Sequence, residues 1–504
     1  MNGIIKAKVH LDREFRIARI DNRIYGSFAE HLGRCIYGGL YQPDHDTADG
    51  DGFRQDVLKL VNELQVPVVR YPGGNFVSGY NWQDGIGPKA NRPRKAELAW
   101  RAIETNEVGI DEFAKWCRKA GASPMMAINL GTRGADEARN IVEYCNLAGG
   151  SSWADLRRKH GNEAPHNIKL WCLGNEMDGP WQIGHKTATE YARLANESAK
   201  VMKRVDPDIE LVACGSSHRG MPTFAEWERL VLEETYDNID YISLHSYYGN
   251  QDGDVDSFLA SSMNFDTFIR DVVAICNYVK ARKRGKKDIH LSFDEWNVWY
   301  HSREADKKLA PWQIAPDQLA DVYDLADALV VGSLLNSLIR HSDRVKIACY
   351  AQLVNVIAPI MTANDGGAWR QTIFYPIQHT SHYGRGVALM PVVEADHFST
   401  RKFDDVPRLD TSAVWDDTNG YVTLFALNRD RAKPMALSVD LRSFGECRVA
   451  EHIVLTGDDL AAVNTRADPD RIKPRTVSGG HVDGGILSAT LPNQSWNVLR
   501  VKTG

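Results

Sequence analysis

The chain has 504 residues, 43% hydrophobic and 25% charged, an ordinary balance for a soluble globular protein with room for two or more compact units. A formal charge of −6 argues against a nucleic-acid partner, which asks for a basic surplus. No run is long enough to span a membrane and the N-terminus lacks a signal-peptide core, so the expected location is the cytoplasm.

Taken in chain order, Ile4–Leu11 alternates and reads as a strand that joins a β-sandwich formed later in the sequence. Eight short apolar runs follow: Ile24–Leu32, Val66–Gly74, Pro124–Gly131, Ile168–Glu176, Ile209–Ser217, Ile239–Tyr247, Ile289–Asn297 and Lys346–Asn355. Near-continuous apolar character is what parallel strands covered on both faces look like. Helical periodicity lies between them, at Phe53–Leu64, at Phe268–Val279 and over Gln318–Arg340. The basic run Arg282–Lys287 reads as a solvated helix end, its cations matching the C-terminal dipole. Eight strand–helix units predict a (β/α)₈ barrel, and the first strand lacks the glycine-rich loop of a nucleotide-binding open sheet.

From about Arg385 the pattern changes to short alternating runs, Tyr421–Asn428, Met435–Leu441, Val449–Thr456, Ile486–Leu491 and Ser495–Lys502. These predict an antiparallel, jelly-roll-like β-sandwich. The expected division is a barrel over 18–384 and a sandwich from 1–17 with 385–504. The eight cysteines show no metal-type or redox-type spacing and read as buried free thiols.

Every predicted strand ends in polar residues, at the face where barrel active sites sit. Two of these ends, Trp171–Glu176 and Leu291–Asn297, carry an apolar run into a glutamate. A single such glutamate is more often a cap or turn residue. A pair at two mouths of one barrel suits glycoside hydrolysis, where one carboxyl protonates the leaving oxygen and the other attacks carbon or activates water. The motifs of zinc proteases, P-loops and serine-hydrolase elbows are absent from the sequence. Gly215-Ser216-Ser217-His218 has the wrong spacing for the last of these.

Four stretches carry a resemblance through nearly the whole chain: Tyr25–Gly33, Arg70-Tyr71-Pro72-Gly73-Gly74-Asn75-Phe76, Gly174-Asn175-Glu176-Met177-Asp178-Gly179-Pro180-Trp181 and Asp294-Glu295-Trp296-Asn297-Val298-Trp299-Tyr300. In this order they resemble the retaining α-L-arabinofuranosidases of glycoside hydrolase family 51. The resemblance implies Glu176 as general acid/base and Glu295 as nucleophile. It implies that Arg70 and Tyr247 hold the nucleophile and that Asn175 meets the sugar 2-hydroxyl. Glu30, Asn75 and Gln352 would bind other hydroxyls, with Trp100 and Trp299 flanking the sugar. His245 reads equally as a supporting donor or a direct contact.

No metal or cofactor is expected, because side chains supply both proton transfer and nucleophile. The implied partner is an arabinose-containing oligo- or polysaccharide, attacked from its end, and the implied assembly is a homo-oligomer, a hexamer. An endo-acting glucanase or xylanase on the same barrel is the alternative, followed by a non-catalytic carbohydrate-binding protein. His301–Pro316 reads as a long loop beside the nucleophile that shapes the leaving-group side.

Overall fold

A computed structural model describes residues 3–504. Eight strands close into a parallel barrel: Gly26–Phe28, Val68–Tyr71, Ser123–Ala127, Leu170–Leu173, Glu210–Ala213, Tyr241–Tyr248, His290–Val298 and Val345–Ala351. They are numbered one to eight below. Each lies within or overlaps one of the eight apolar runs, and a helix follows each one.

Local signals set the helix ends. Helix Ala188–Val205 begins at a capping box, in which the Thr187 hydroxyl accepts from the Glu190 amide and Glu190 accepts from the Thr187 amide. Helix Ser262–Lys283 ends at Arg284 in the left-handed conformation, with three cations in its last turn.

One boundary departs from expectation. The stretch Gln318–Arg340 is helical only from Leu325. Asp324 and Asp327 cap each other's amides there and fix the start. Ahead of them Asp321 accepts from the amides of Tyr300, His301 and Ser302. Residues 318–324 are thus held to the loop after strand seven, against the helical pattern of their side chains.

Apart from three two-stranded ribbons, the remaining strands form two sheets. The seven-stranded sheet runs in the order Arg16–Arg19, Val387–Leu389, Leu409–Asp416, Tyr421–Asn428, Ser495–Thr503, Cys447–Leu455, Arg475–Thr476. The five-stranded sheet runs Val392–Ala395, Ile5–His10, Met435–Asp440, Ile486–Leu491, His481–Asp483. Ile5–His10 joins the latter, but parallel to Met435–Asp440, so the sandwich is not wholly antiparallel. Arg16–Arg19 crosses the expected boundary at residue 17 and pairs with Val387–Leu389. The cysteines are unpaired, and all but the half-buried Cys447 are buried. Among the described residues, no helix is long and apolar enough to cross a membrane.

Two apolar cores result. Ala7, Val9, Leu437, Val439, Leu487 and Leu499 pack between the two sheets. The other face of the seven-stranded sheet joins the barrel core through Phe425, Trp496 and Val498. Trp496 lies against helix Leu325–Arg340 at Gly332, where an added Cβ would meet the indole at 2.6 Å. Its Nε1–H donates to His379 Nδ1 at 3.2 Å. Trp496→Ala is expected to cost about 3–5 kcal/mol through the cavity it leaves. Urea unfolding of the two proteins checks this, and Gly332→Val should destabilise from the opposite side by overpacking.

Candidate active site

The turn after strand four delivers the first glutamate. Gly174 sits at φ +90°, a conformation that favours glycine, and Glu176 itself is left-handed at φ +43°. A non-glycine residue held there marks a position that its surroundings over-determine. Two partners hold it: His245 Nδ1 lies 2.9 Å from Glu176 Oε1, and Trp181 Nε1–H donates to Oε2 at 2.7 Å. Burial raises the Glu176 pKa and the neighbouring Glu295 charge adds to it, against the lowering effect of His245.

Strand seven delivers the second. Arg70 of strand two donates to Glu295 Oε1 at 2.7 Å, and the Tyr247 hydroxyl donates to Oε2 at 2.8 Å. Arg70 also donates to Asn175 Oδ1 at 2.7 Å, and Asn175 donates to Asn75 at 3.4 Å. His245 stands opposite Glu295 on strand six, and Tyr247, two residues on, shares its face.

Pairing between strands six and seven slips between Ser243 and His245, where strand seven holds an extra residue. This bulge lets two consecutive residues, Asp294 and Glu295, both reach Arg70, at 3.5 and 2.7 Å. In a regular strand they would face opposite sides. Asp294 also lies 3.3 Å from His245 Nε2. Burial pushes its carboxyl up, but Arg70 and His245 hold it below the usual range. Burial pulls the His245 ring down, yet Glu295, Asp294 and Glu176 together lift it to about 10, which favours the protonated ring.

Glu30, after strand one, forms one wall. Its Oε1 accepts from the Phe76 amide and from Trp100 Nε1, both at 2.9 Å, and its Oε2 accepts from Gln352 at 3.1 Å. Gly73 and Gly74 explain their place in the second motif: a Cβ at either would meet the Glu30 side chain at 2.9 or 2.7 Å. Burial pushes Glu30 up to about 8, helped by the charge of Glu295. Trp100 comes from a hairpin, Lys95–Glu97 with Ala102–Glu104, and Trp299 meets the Tyr247 ring edge-on at 5.6 Å.

The eleven residues singled out from the sequence therefore line one connected site. Two further members, Asp294 and Trp181, were missed, although both stand inside quoted motifs. Other polar strand ends lie outside the network: Asn129 ties its own turn to Tyr80, and Ser216 and Ser217 bind Glu228 and Asp178.

One carboxylate oxygen of Glu176, one of Glu295 and a ring nitrogen of His245 lie within 4.8 Å of one another. That trio has the residue types of a metal site, but the His245 ring nitrogen is already in direct contact with Glu176, at 2.9 Å. A second such group, His301 with Asp324 and Asp327, is tied up as the cap of helix Leu325–Arg340. Two carboxylates this close, one clamped by a guanidinium and one held in a raised-pKa setting, match the short spacing of retaining rather than inverting glycosidases.

Comparison with known proteins agrees. The α-L-arabinofuranosidase 1 domain profile matches residues 60–270, and the α-L-arabinofuranosidase C-terminal domain profile matches 294–495. The chain is 57% identical to an intracellular exo-α-(1→5)-L-arabinofuranosidase of Halalkalibacterium halodurans, over 99% of each chain. It is 56% identical, over the same share, to a protein of Bacillus subtilis with the same description. The structure of a family 51 α-L-arabinofuranosidase from Bifidobacterium longum superposes with a TM-score of 0.95 at 45% identity, covering 99% of this chain and 100% of that one. The chain belongs to the family 51 α-L-arabinofuranosidases, which are glycoside hydrolases.

Proposed function

We propose that this protein is an exo-acting, retaining enzyme that releases terminal L-arabinofuranose from arabinan, arabinoxylan or arabino-oligosaccharides. Glu176 is its general acid/base and Glu295 its nucleophile. The observation that carries the reading is the pair of carboxylates within 4.8 Å in unlike settings. Glu295, held by Arg70 and Tyr247, suits a group that must stay ionised. Glu176, raised by burial and by Glu295, suits one that must hold a proton.

In the first step the Glu295 carboxylate attacks the anomeric carbon and the glycosidic C–O bond breaks. The Glu176 proton goes to the departing oxygen, leaving an arabinosyl ester on Glu295. Once esterified, Glu295 carries no charge, one cause of the high Glu176 pKa is gone, and Glu176 becomes a base. It takes a proton from water, whose oxygen attacks the same carbon and frees Glu295. Two inversions leave the configuration retained. Asn175, hydrogen-bonded to Asn75, is assigned to the 2-hydroxyl and Asn75 to another hydroxyl of the sugar, a reading their contact beside the Arg70–Glu295 pair supports.

The reading takes the wall of Glu30, Gln352, Trp100 and Phe76, tied together by the hydrogen bonds of Glu30, as the closed end of the site, which suits action at a chain end. An endo-acting enzyme needs a cleft open along the polymer in both directions. The exo-α-(1→5) activity named for the relatives points the same way. Their description as intracellular supports a cytoplasmic location, and the family resemblance supports a hexamer.

Hydrolysis of p-nitrophenyl α-L-arabinofuranoside tests the roles. Glu176→Ala and Glu295→Ala should each lose at least about 100-fold in kcat. Azide should rescue Glu176→Ala to the α-azide, and give with Glu295→Ala only the β-azide or nothing. Activity of the wild type on soluble glucan or xylan, with none on this substrate, would put the endo reading in its place. Sedimentation should give a hexamer at working concentration, and a stable monomer would refute that assembly.

The loop after strand seven docks on the Trp100 hairpin, with the Trp312 amide donating to Arg101 O and the Ile103 amide donating to Gln313 O. This docking supports a role for the loop in shaping access to the leaving-group side. Shortening it should change the ratio of activities on arabinan and on short arabino-oligosaccharides, and an unchanged ratio would dismiss this role.

A further inference from the structure

Three polar atoms at the floor of the site are buried and lack any well-formed hydrogen bond: Arg70 Nε, His245 Nε2 and Asp294 Oδ1. All three converge on one carboxylate. Asp294 lies 3.5 Å from Arg70 Nε and 3.3 Å from His245 Nε2, with only 1% of its surface exposed. The Cys172 thiol, 3.6 Å away, and the Ser243 side chain are its other polar neighbours. A carboxylate so far from water is costly unless its neighbours need it. Arg70 has carboxylate and amide partners on its two terminal nitrogens, and the Asp294 charge faces its Nε at 3.5 Å. His245 is different: its Nε2 meets nothing but Asp294, while its Nδ1 faces Glu176 at 2.9 Å and Glu295 at 3.6 Å.

We propose that Asp294 is a positioning residue for the reaction, acting through His245: by drawing the Nε2 proton it holds the ring doubly protonated and keeps Nδ1–H aimed at Glu176. This rests on the roles proposed above for Glu176 and Glu295. The groups facing His245 are consistent with a fixed cation there. Glu176 and Asp178 approach from the turn after strand four, Asp294 and Glu295 from strand seven, and Tyr247 from strand six itself. The positive charge among them is Arg70, which faces Asp294 and Glu295. A buried aspartate that sets the tautomer and charge of a histidine at a reacting centre is a known physical device. Here the histidine transfers no proton. It supplies a charged donor that steadies Glu176 as a carboxylate in the second half of the cycle and limits how far burial raises its pKa.

Asp294→Asn keeps the shape and removes the charge. With p-nitrophenyl α-L-arabinofuranoside, kcat should fall on the order of 10-fold or more with KM little changed. The basic limb of kcat/KM against pH should move to higher pH, because Glu176 loses its charged donor. His245→Gln should show the same limb shift, and the double variant should be no worse than His245→Gln alone. Limbs at the wild-type positions, or losses that add independently, would overturn the proposal. Neutron diffraction from wild-type crystals at pH 7 tests it without any variant: deuterium on both ring nitrogens of His245 is expected, and a bare Nε2 facing Asp294 would overturn it. If Glu176→Ala and Glu295→Ala instead retain activity, the roles of the glutamates fail. If both lose activity while Asp294→Asn leaves the limbs in place, only the role of Asp294 fails.

Discussion

The active site hangs on one buried ionic cluster, in which Arg70 and His245 interleave with Glu176, Asp294 and Glu295. These five side chains have little access to bulk water to spread their charge, so each is compensated chiefly by the others. With Glu176 protonated the cluster holds two positive and two negative charges, and removing any member leaves a desolvated charge without its partner. The barrel exists in this chain to bring them together. They come from strands two, six and seven and from the turn after strand four, segments separated by tens to hundreds of residues. Only a closed parallel sheet, with all its carboxyl ends at one mouth, delivers them to a single point.

Around that point the local backbone departs from regular geometry where the chemistry asks for it. The extra residue in strand seven turns both Asp294 and Glu295 toward Arg70. The left-handed turn at Gly174–Glu176 sets one carboxylate within 4.8 Å of the other. Gly73 and Gly74 clear space for Glu30 against the chain. These irregularities are affordable because the scaffold outside them is continuous. The seven-stranded sheet packs Trp496 onto helix Leu325–Arg340, the helix that leads into strand eight, and so braces the barrel from behind.

Much of this was legible in the sequence for a physical reason. Strands buried on both faces must be apolar nearly throughout, so eight such runs separated by helical patterns stand out, and their polar last residues mark the mouth. What stayed hidden depends on geometry that periodicity does not encode. Asp294 looks like the outward neighbour of an inward Glu295 under strict alternation, and the bulge that reverses this has no signature of its own. The helix over Gln318–Arg340 starts late because Asp321, Asp324 and Asp327 bind amides of the preceding loop and of each other, a tertiary choice over a local one. Ile5–His10 was recognisable as a strand, but which neighbour it joins and in which direction depends on residues more than 400 positions away.

The placement of His245 bears on how a desolvated site can pass through a covalent intermediate. On the roles proposed for the two glutamates, the negative charge before the first step of double displacement is on Glu295 and Glu176 is neutral. In the arabinosyl intermediate Glu295 is an ester and Glu176 carries the charge. The buried total does not change; one unit moves from one carboxylate to the other. The Nδ1 of His245 lies 2.9 Å from Glu176 Oε1 and 3.6 Å from Glu295 Oε2, so the same cation faces the charge at both stages. Solvent would have to reorganise around such a shift, whereas a fixed donor between the two positions does not. The close spacing of the glutamates therefore does more than allow the nucleophile to reach carbon. It keeps both resting places of the charge within range of one imidazolium, whose own charge is balanced from the far side by Asp294.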